Sequence, residues 1–114
     1  MAYSRHQLFD EIDRQIRKTP RKSLYSLARE LGVHRKTIRN VTWEFKAKSF
    51  HEYQKELLLQ RAIDLILDER GNLSLKQIAF TLGYRSPAAF SRFIKVETGR
   101  SPSEIRRLEL IRKD

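Results

Sequence analysis

The stretch Ser23–Val33, SLYSLARELGV, returns 51 residues later as Ser74–Tyr84, SLKQIAFTLGY. Serine, leucine, an aliphatic residue, alanine, leucine and glycine keep the same register. Each copy reads as a short helix running into a glycine turn. In the second copy Leu75, Ile78, Ala79 and Leu82 share one helical face, and Gly83 permits a sharp turn because positive φ brings no Cβ clash. Phe90, Phe93, Ile94 and Glu97 then recur at spacings of three and four, so the apolar side of the next helix must pack back on the first. Ala79 at the crossing keeps the axes close. Two short helices packed across a brief glycine-containing turn form a helix-turn-helix.

The rest of the chain is helical by the same signals. No run alternates with period two for long enough to be a strand, and the four glycines and three prolines fall at breaks in helical patterns. Seven helices are expected. The first spans residues 5–18, with Leu8, Ile12 and Ile16 on one face, and stops at Thr19-Pro20, because proline pushes the residue before it out of the helical region. The second starts near Ser23 and stops at Gly32; the third covers residues 35–47. Ser49-Phe50-His51-Glu52 forms a capping box for a fourth, which continues to Arg70 with Gly71 as its C-terminal cap. Ser74 and Gln77 box the fifth, which ends at Gly83. Ser86-Pro87 opens the sixth, which Gly99 closes, and Ser101-Pro102-Ser103-Glu104 opens the seventh. The expected organisation is a first helix-turn-helix subdomain at 1–48, a linker helix at 49–70 and a second subdomain at 71–114.

Composition narrows the partner. A chain of 114 residues with 39% apolar positions is one domain's worth of core, with no apolar run long enough to span a membrane. Charges stand where a signal peptide needs an apolar run, so a cytoplasmic location is expected. The absence of cysteine excludes disulfides and thiolate metal sites. Lys and Arg number 24 against 14 Asp and Glu, a net of +10. Ten basic residues lie between Arg17 and Lys48 against Glu30 and Glu44, whereas residues 50–70 are net acidic. Basic charge concentrated around one of the two repeated units points to a polyanion. The net-acidic long helix argues against membrane-surface binding. His6, His34 and His51 have no metal-ligand spacing and no phosphate loop follows a strand, so neither an enzyme nor a cofactor is expected.

The exposed side of each second helix is the candidate DNA reader, its N-terminal half aimed at base edges in the major groove. The first copy offers Arg35, Lys36, Arg39 and Asn40; arginine can pair bidentately with guanine and asparagine with adenine. The second offers Ala88, Ala89, Ser91 and Arg92, of which the alanines suit a thymine methyl and Arg92 is the strong reader. Lys46 and Lys95 are expected nearer phosphates.

Residues Ile78–Arg106, IAFTLGYRSPAAFSRFIKVETGRSPSEIR, resemble the second helix-turn-helix of the AraC/XylS family of bacterial transcription regulators. Ile-Ala, Leu-Gly-Tyr, Phe-Ser-Arg-Phe, Lys, Gly and Ser-Pro stand at the family's spacing, and with the first unit and long helix the likeness covers nearly the whole chain. The resemblance implies two helix-turn-helix units joined by a long helix. It also implies sequence-specific binding of double-stranded promoter DNA as a transcription regulator, an activator more often than a repressor, with RNA polymerase as a partner. Two units in one chain make a monomer sufficient for binding; a longer native chain could add an effector domain or a dimer contact. The first unit departs from the family at Thr42, in place of an aromatic residue, and at Ala47, in place of glycine. Trp43 and Phe45 are the candidates to supply the missing apolar bulk. Ile105 replaces an aromatic residue before Arg106. The remaining alternatives, a helix-turn-helix of a transposase or recombinase or a structural DNA-binding module, would lack the Gly-Tyr to Ser-Pro signature.

Overall fold

The computed structural model describes residues 3–68 and 73–113, with the side chains of 112 and 113 excepted. Those residues form seven helices and no strand: α1 (Arg5–Lys18), α2 (Leu24–Leu31), α3 (Arg35–Lys46), α4 (Phe50–Ile66), α5 (Leu75–Thr81), α6 (Pro87–Thr98) and α7 (Pro102–Lys113). The all-helical reading therefore holds. Two compact units divide the chain at Leu58 and Leu59, inside α4.

The first unit is built on α1, α2, α3 and the start of α4. Leu8, Ile12 and Ile16 of α1, Leu24, Leu27, Ala28 and Leu31 of α2, and Ile38 and Val41 of α3 are buried together with Phe50, Tyr53 and Leu57. Ser4 and Gln7 close a reciprocal capping box on α1, one turn ahead of the first buried leucine. In the second unit Ala62 and Ile66 of α4, Ile78 and Ala79 of α5, Leu82, Tyr84, and Phe90 and Ile94 of α6 are buried. Tyr84 tilts against Phe90 with ring centroids 5.4 Å apart. Ser74–Gln77 caps α5 reciprocally. Ser101 and Glu104 do the same for α7, and the amide and hydroxyl of Ser101 hold the Glu104 carboxyl below its usual range.

The repeat seen in sequence is a repeat in hydrogen bonding. After α2 the Val33 amide donates to Ala28 O and the Gly32 amide to Arg29 O; after α5 the Tyr84 amide donates to Ala79 O and the Gly83 amide to Phe80 O. Both glycines are left-handed, at φ 67° and 92°. This is the six-to-one closure that satisfies orphan carbonyls at a helix end. Ala28 and Ala79 are buried at equivalent places.

Three expectations need correction. The long helix stops at Ile66, not Arg70, with Leu67 in a turn; the proposed Gly71 cap lies outside the described residues. At this end Arg106 of α7 donates from Nε to Ile66 O at 3.0 Å, from Nη1 to Leu73 O at 3.2 Å and from Nη2 to Leu65 O at 3.5 Å. A side chain from α7 thus supplies donors to the last carbonyls of α4, and Leu65 O also accepts from the Asp68 amide at 3.4 Å. At Ser49 the box is partial: the Glu52 amide donates to Ser49 Oγ, but the Glu52 carboxylate receives the serine hydroxyl instead of the backbone amide.

The third correction concerns Thr42. It is fully buried, with Oγ1 donating to Ile38 O at 2.8 Å, and Trp43 supplies no bulk there because it is 62% exposed. One residue along a helix turns the side chain by about 100°, which carries Trp43 off the core face. Phe45, three residues on, stays at the flank and stacks on Phe9 of α1 at 4.9 Å.

Ala47 closes α3 at φ 53°, the one non-glycine residue with positive φ among those described. Its Cβ there costs roughly 1 kcal/mol that glycine avoids. Ala47→Gly should stabilise the first unit by about 0.5–1 kcal/mol, read as a rise of a few degrees in its melting midpoint. A lower midpoint would show that the turn is not strained by its side chain.

Candidate nucleic-acid interface

Helices α3 and α6 have the same length and the same kind of ends. Each has 12 residues, an extended N-cap residue whose side chain accepts a backbone amide (His34, Ser86), and a left-handed C-cap residue (Ala47, Gly99). Aligned by these ends, Lys36 corresponds to Ala88, Arg39 to Ser91, Asn40 to Arg92 and Trp43 to Lys95. The buried residues correspond as well: Ile38 to Phe90 and Thr42 to Ile94. The offset is 52 in the helices but 51 in the glycine turns, because the second turn holds one more residue before its cap.

Burial of Ile38, Val41 and Thr42 fixes which side of α3 faces out. Lys36, Arg39, Asn40 and Trp43 then fall within an arc of about 100°, at about 100° per residue, and all four are exposed. Arg35 lies at the edge of this face, its guanidinium carbon 5.9 Å from the ring centroid of Tyr25 on α2. Lys46 stands in the last turn, its Nζ 5.8 Å from the ring centroids of both Phe9 and Tyr53. The structure thus brings Lys36, Arg39 and Asn40 together, sets Arg35 beside them on an aromatic ring, and leaves Lys46 on the flank that faces α1.

On α6 the equivalent arc holds Ala88, Ser91, Arg92 and Lys95. Ala88, Arg92 and Lys95 are exposed and Ser91 is half-buried. Ala89 is turned away from the centre of the arc and is half-buried; its amide donates to Ser86 Oγ at 3.2 Å. The two faces carry different side chains on the same scaffold.

Acidic groups are held off the α3 face. Glu44, the one carboxylate of α3, accepts from Arg5 Nε at 2.6 Å. Glu30 of α2 pairs with Lys22, and Glu56 of α4 pairs with Lys48, which together with Lys46 keeps the Glu56 carboxyl below its usual range. Arg39 and Lys36 enter no ion pair among the described residues. Sequence reasoning missed Tyr25 as the support of Arg35, and Trp43 as part of the outward face. For Tyr25 the signal was available, since it falls off the Leu24-Leu27-Ala28-Leu31 core stripe. Among the described residues no group of histidines and carboxylates could hold a metal, and no helix is long and apolar enough to cross a membrane.

A family profile described as a helix-turn-helix domain matches residues 27–108, which spans both repeats. The fold is similar to a DNA-binding transcriptional dual regulator from Escherichia coli K-12, at 20% identity, 96% coverage of each chain and a TM-score of 0.70. It is similar to the DNA-binding domain of AdpA, a global transcriptional factor solved with a target DNA, at 18% identity, covering 92% of this chain and 94% of that one, with a TM-score of 0.76. The C-terminal domain of AraT, a response regulator from Geobacillus stearothermophilus, aligns at 23% identity over 91% of this chain and 84% of that one, with a TM-score of 0.72. Histidine kinase P4 from Formosa agariphila is 29% identical over 79 residues, 69% of this chain but 6% of that protein's length. With its paired glycine turns, its two outward helix faces and a profile match over most of its length, the chain belongs to the AraC-type helix-turn-helix family of DNA-binding transcription regulators.

Proposed function

We propose that this chain binds one asymmetric site in promoter DNA as a monomer, with α3 and α6 each entering a major groove, and that it activates transcription through RNA polymerase in the cytoplasm. The observation that carries the reading is the equivalence of the two outward faces: one scaffold presents Lys36, Arg39 and Asn40 in one unit and Ala88, Ser91 and Arg92 in the other. Identical readers would suit a palindrome. Unlike readers suit two different sequence elements. In this reading Arg39 and Arg92 pair with guanine, Asn40 with adenine, Ala88 with a thymine methyl, and Lys95 with a phosphate.

Selection from a random duplex library tests this directly and should return a site with two unlike elements roughly one helical turn apart. Inserting about half a turn of DNA between them puts the second element on the opposite side of the duplex and should abolish tight binding. Arg92→Ala should cost about 1–3 kcal/mol and relax preference at one position of one element. A selected palindrome bound by two copies of the chain, or an Arg92→Ala variant with unchanged affinity and site, would overturn the arrangement.

A further inference from the structure

Trp43 is the largest exposed apolar side chain on α3, and the proposed readout of bases gives it no task. Three features define its surroundings. It shares the outward arc with Lys36, Arg39 and Asn40. The single carboxylate of its helix is drawn away to Arg5. Its counterpart on α6, matched by helix ends, is Lys95, an exposed cation.

An apolar ring placed among cations does not suit an apolar protein partner, which would have to cover Lys36 and Arg39 without satisfying them. It suits a polyanion that also carries apolar surface. Duplex DNA has both, in its phosphates and its deoxyribose edges. Position along the helix selects between base and backbone. Trp43 lies four residues beyond Arg39 and seven beyond Lys36, about 6 Å and 10 Å at 1.5 Å per residue. The major groove is about 12 Å wide, so a helix whose first turns address base edges brings its third turn to the groove wall. Tryptophan offers an apolar face and one N–H donor with no acceptor, which matches a sugar edge beside a phosphate oxygen.

We propose that Trp43 is a DNA-backbone contact: its ring packs on deoxyribose at the wall of the groove read by α3, and its Nε1–H donates to a phosphate. It does with an aromatic ring what Lys95 does with an ammonium group at the same place in the second unit. The inference rests on the reading of α3 as a DNA-binding helix. A backbone contact of this kind is indifferent to sequence, so Trp43 adds affinity and sets the insertion depth of α3 without choosing bases.

Trp43 is the only tryptophan in the chain, so intrinsic fluorescence reports this one position. The chain is titrated with an end-labelled mixed-sequence duplex at low salt, with anisotropy of the label measuring binding and tryptophan emission measuring Trp43. Saturating duplex should shift the emission and reduce quenching by acrylamide severalfold. Trp43→Ala should lower affinity about tenfold for every duplex tried, with the selected site unchanged and with helical content and melting unaltered. Trp43→Phe, which keeps a ring and loses the donor, should fall between. Saturable anisotropy with unchanged emission and acrylamide quenching would overturn the contact and leave the regulator reading standing. So would a Trp43→Ala variant that folds and binds like the parent. No anisotropy change with any duplex would overturn both.

Discussion

Raising the salt from about 50 to about 200 mM should lower the affinity of this chain for duplex DNA about a thousandfold or more. The size follows from counterion release: each neutralised phosphate adds about −0.9 to the log–log slope, and roughly 6–8 phosphate contacts give a slope near −5 to −7. The structure supplies cations enough. Besides the two arginines assigned to guanine, Arg35, Lys36 and Lys46 are exposed in the first unit, as are Arg85, Lys95 and Arg100 in the second. The basic run of residues 17–48 is less free than its composition suggests, because Arg17, Lys22 and Lys48 are already paired with Asp13, Glu30 and Glu56. A measured slope shallower than about −3 would mean that the faces of α3 and α6 do not both meet the duplex.

The second large effect concerns stability. Arg106→Ala should cost the second unit about 3 kcal/mol, because bonds from a charged donor are worth more than neutral ones and their loss strands acceptors that are partly buried. The guanidinium serves the carbonyls of Ile66 and Leu73 at 3.0 and 3.2 Å, and shares that of Leu65 with the Asp68 amide. Arg106→Lys should recover only a minor part, since an ammonium is a point donor and cannot reproduce a planar fork. Urea unfolding followed by a probe confined to the second unit measures this. A loss below about 1 kcal/mol for Arg106→Ala would show that solvent replaces these bonds readily.

Helix positions were legible because their ends are chemical. Ser74, Ser86 and Ser101 cap, Gly32 and Gly99 close, and proline stands at the first position of α6 and α7; the structure closes α2, opens α5, bounds α6 and opens α7 where those residues say. The end of α4 was not legible. The Ile66 carbonyl there is met by Arg106, 40 residues away, and local patterning carries no trace of so distant a donor. The fate of Trp43 was misread for a related reason. The chain lacks aromatic bulk at residue 42, and a neighbour in sequence looks like a substitute until the turn of the helix is counted. In the candidate interface, the outward placement of Lys36, Arg39, Asn40 and Arg92 follows from the periodicity of the buried residues. The stacking of Arg35 on Tyr25 and the withdrawal of Glu44 toward Arg5 depend on how helices pack, which periodicity cannot encode.

The division of α4 between two cores has a consequence for how this chain opens. Phe50, Tyr53 and Leu57 are anchored in the first unit, Ala62 and Ile66 in the second, and the backbone runs through without a break. A helix of 17 residues is at the edge of what holds together in water without tertiary support, and half of one is well below it. Loss of either core should therefore fray α4 back to Leu58 or Leu59 and halt there, where the surviving core still clamps the other half. Amide exchange along this one helix should show two plateaus of protection with a step near its middle, each plateau following the stability of its own unit. Ala47→Gly should raise the protection of the N-terminal half alone, and Arg106→Ala should lower that of the C-terminal half alone.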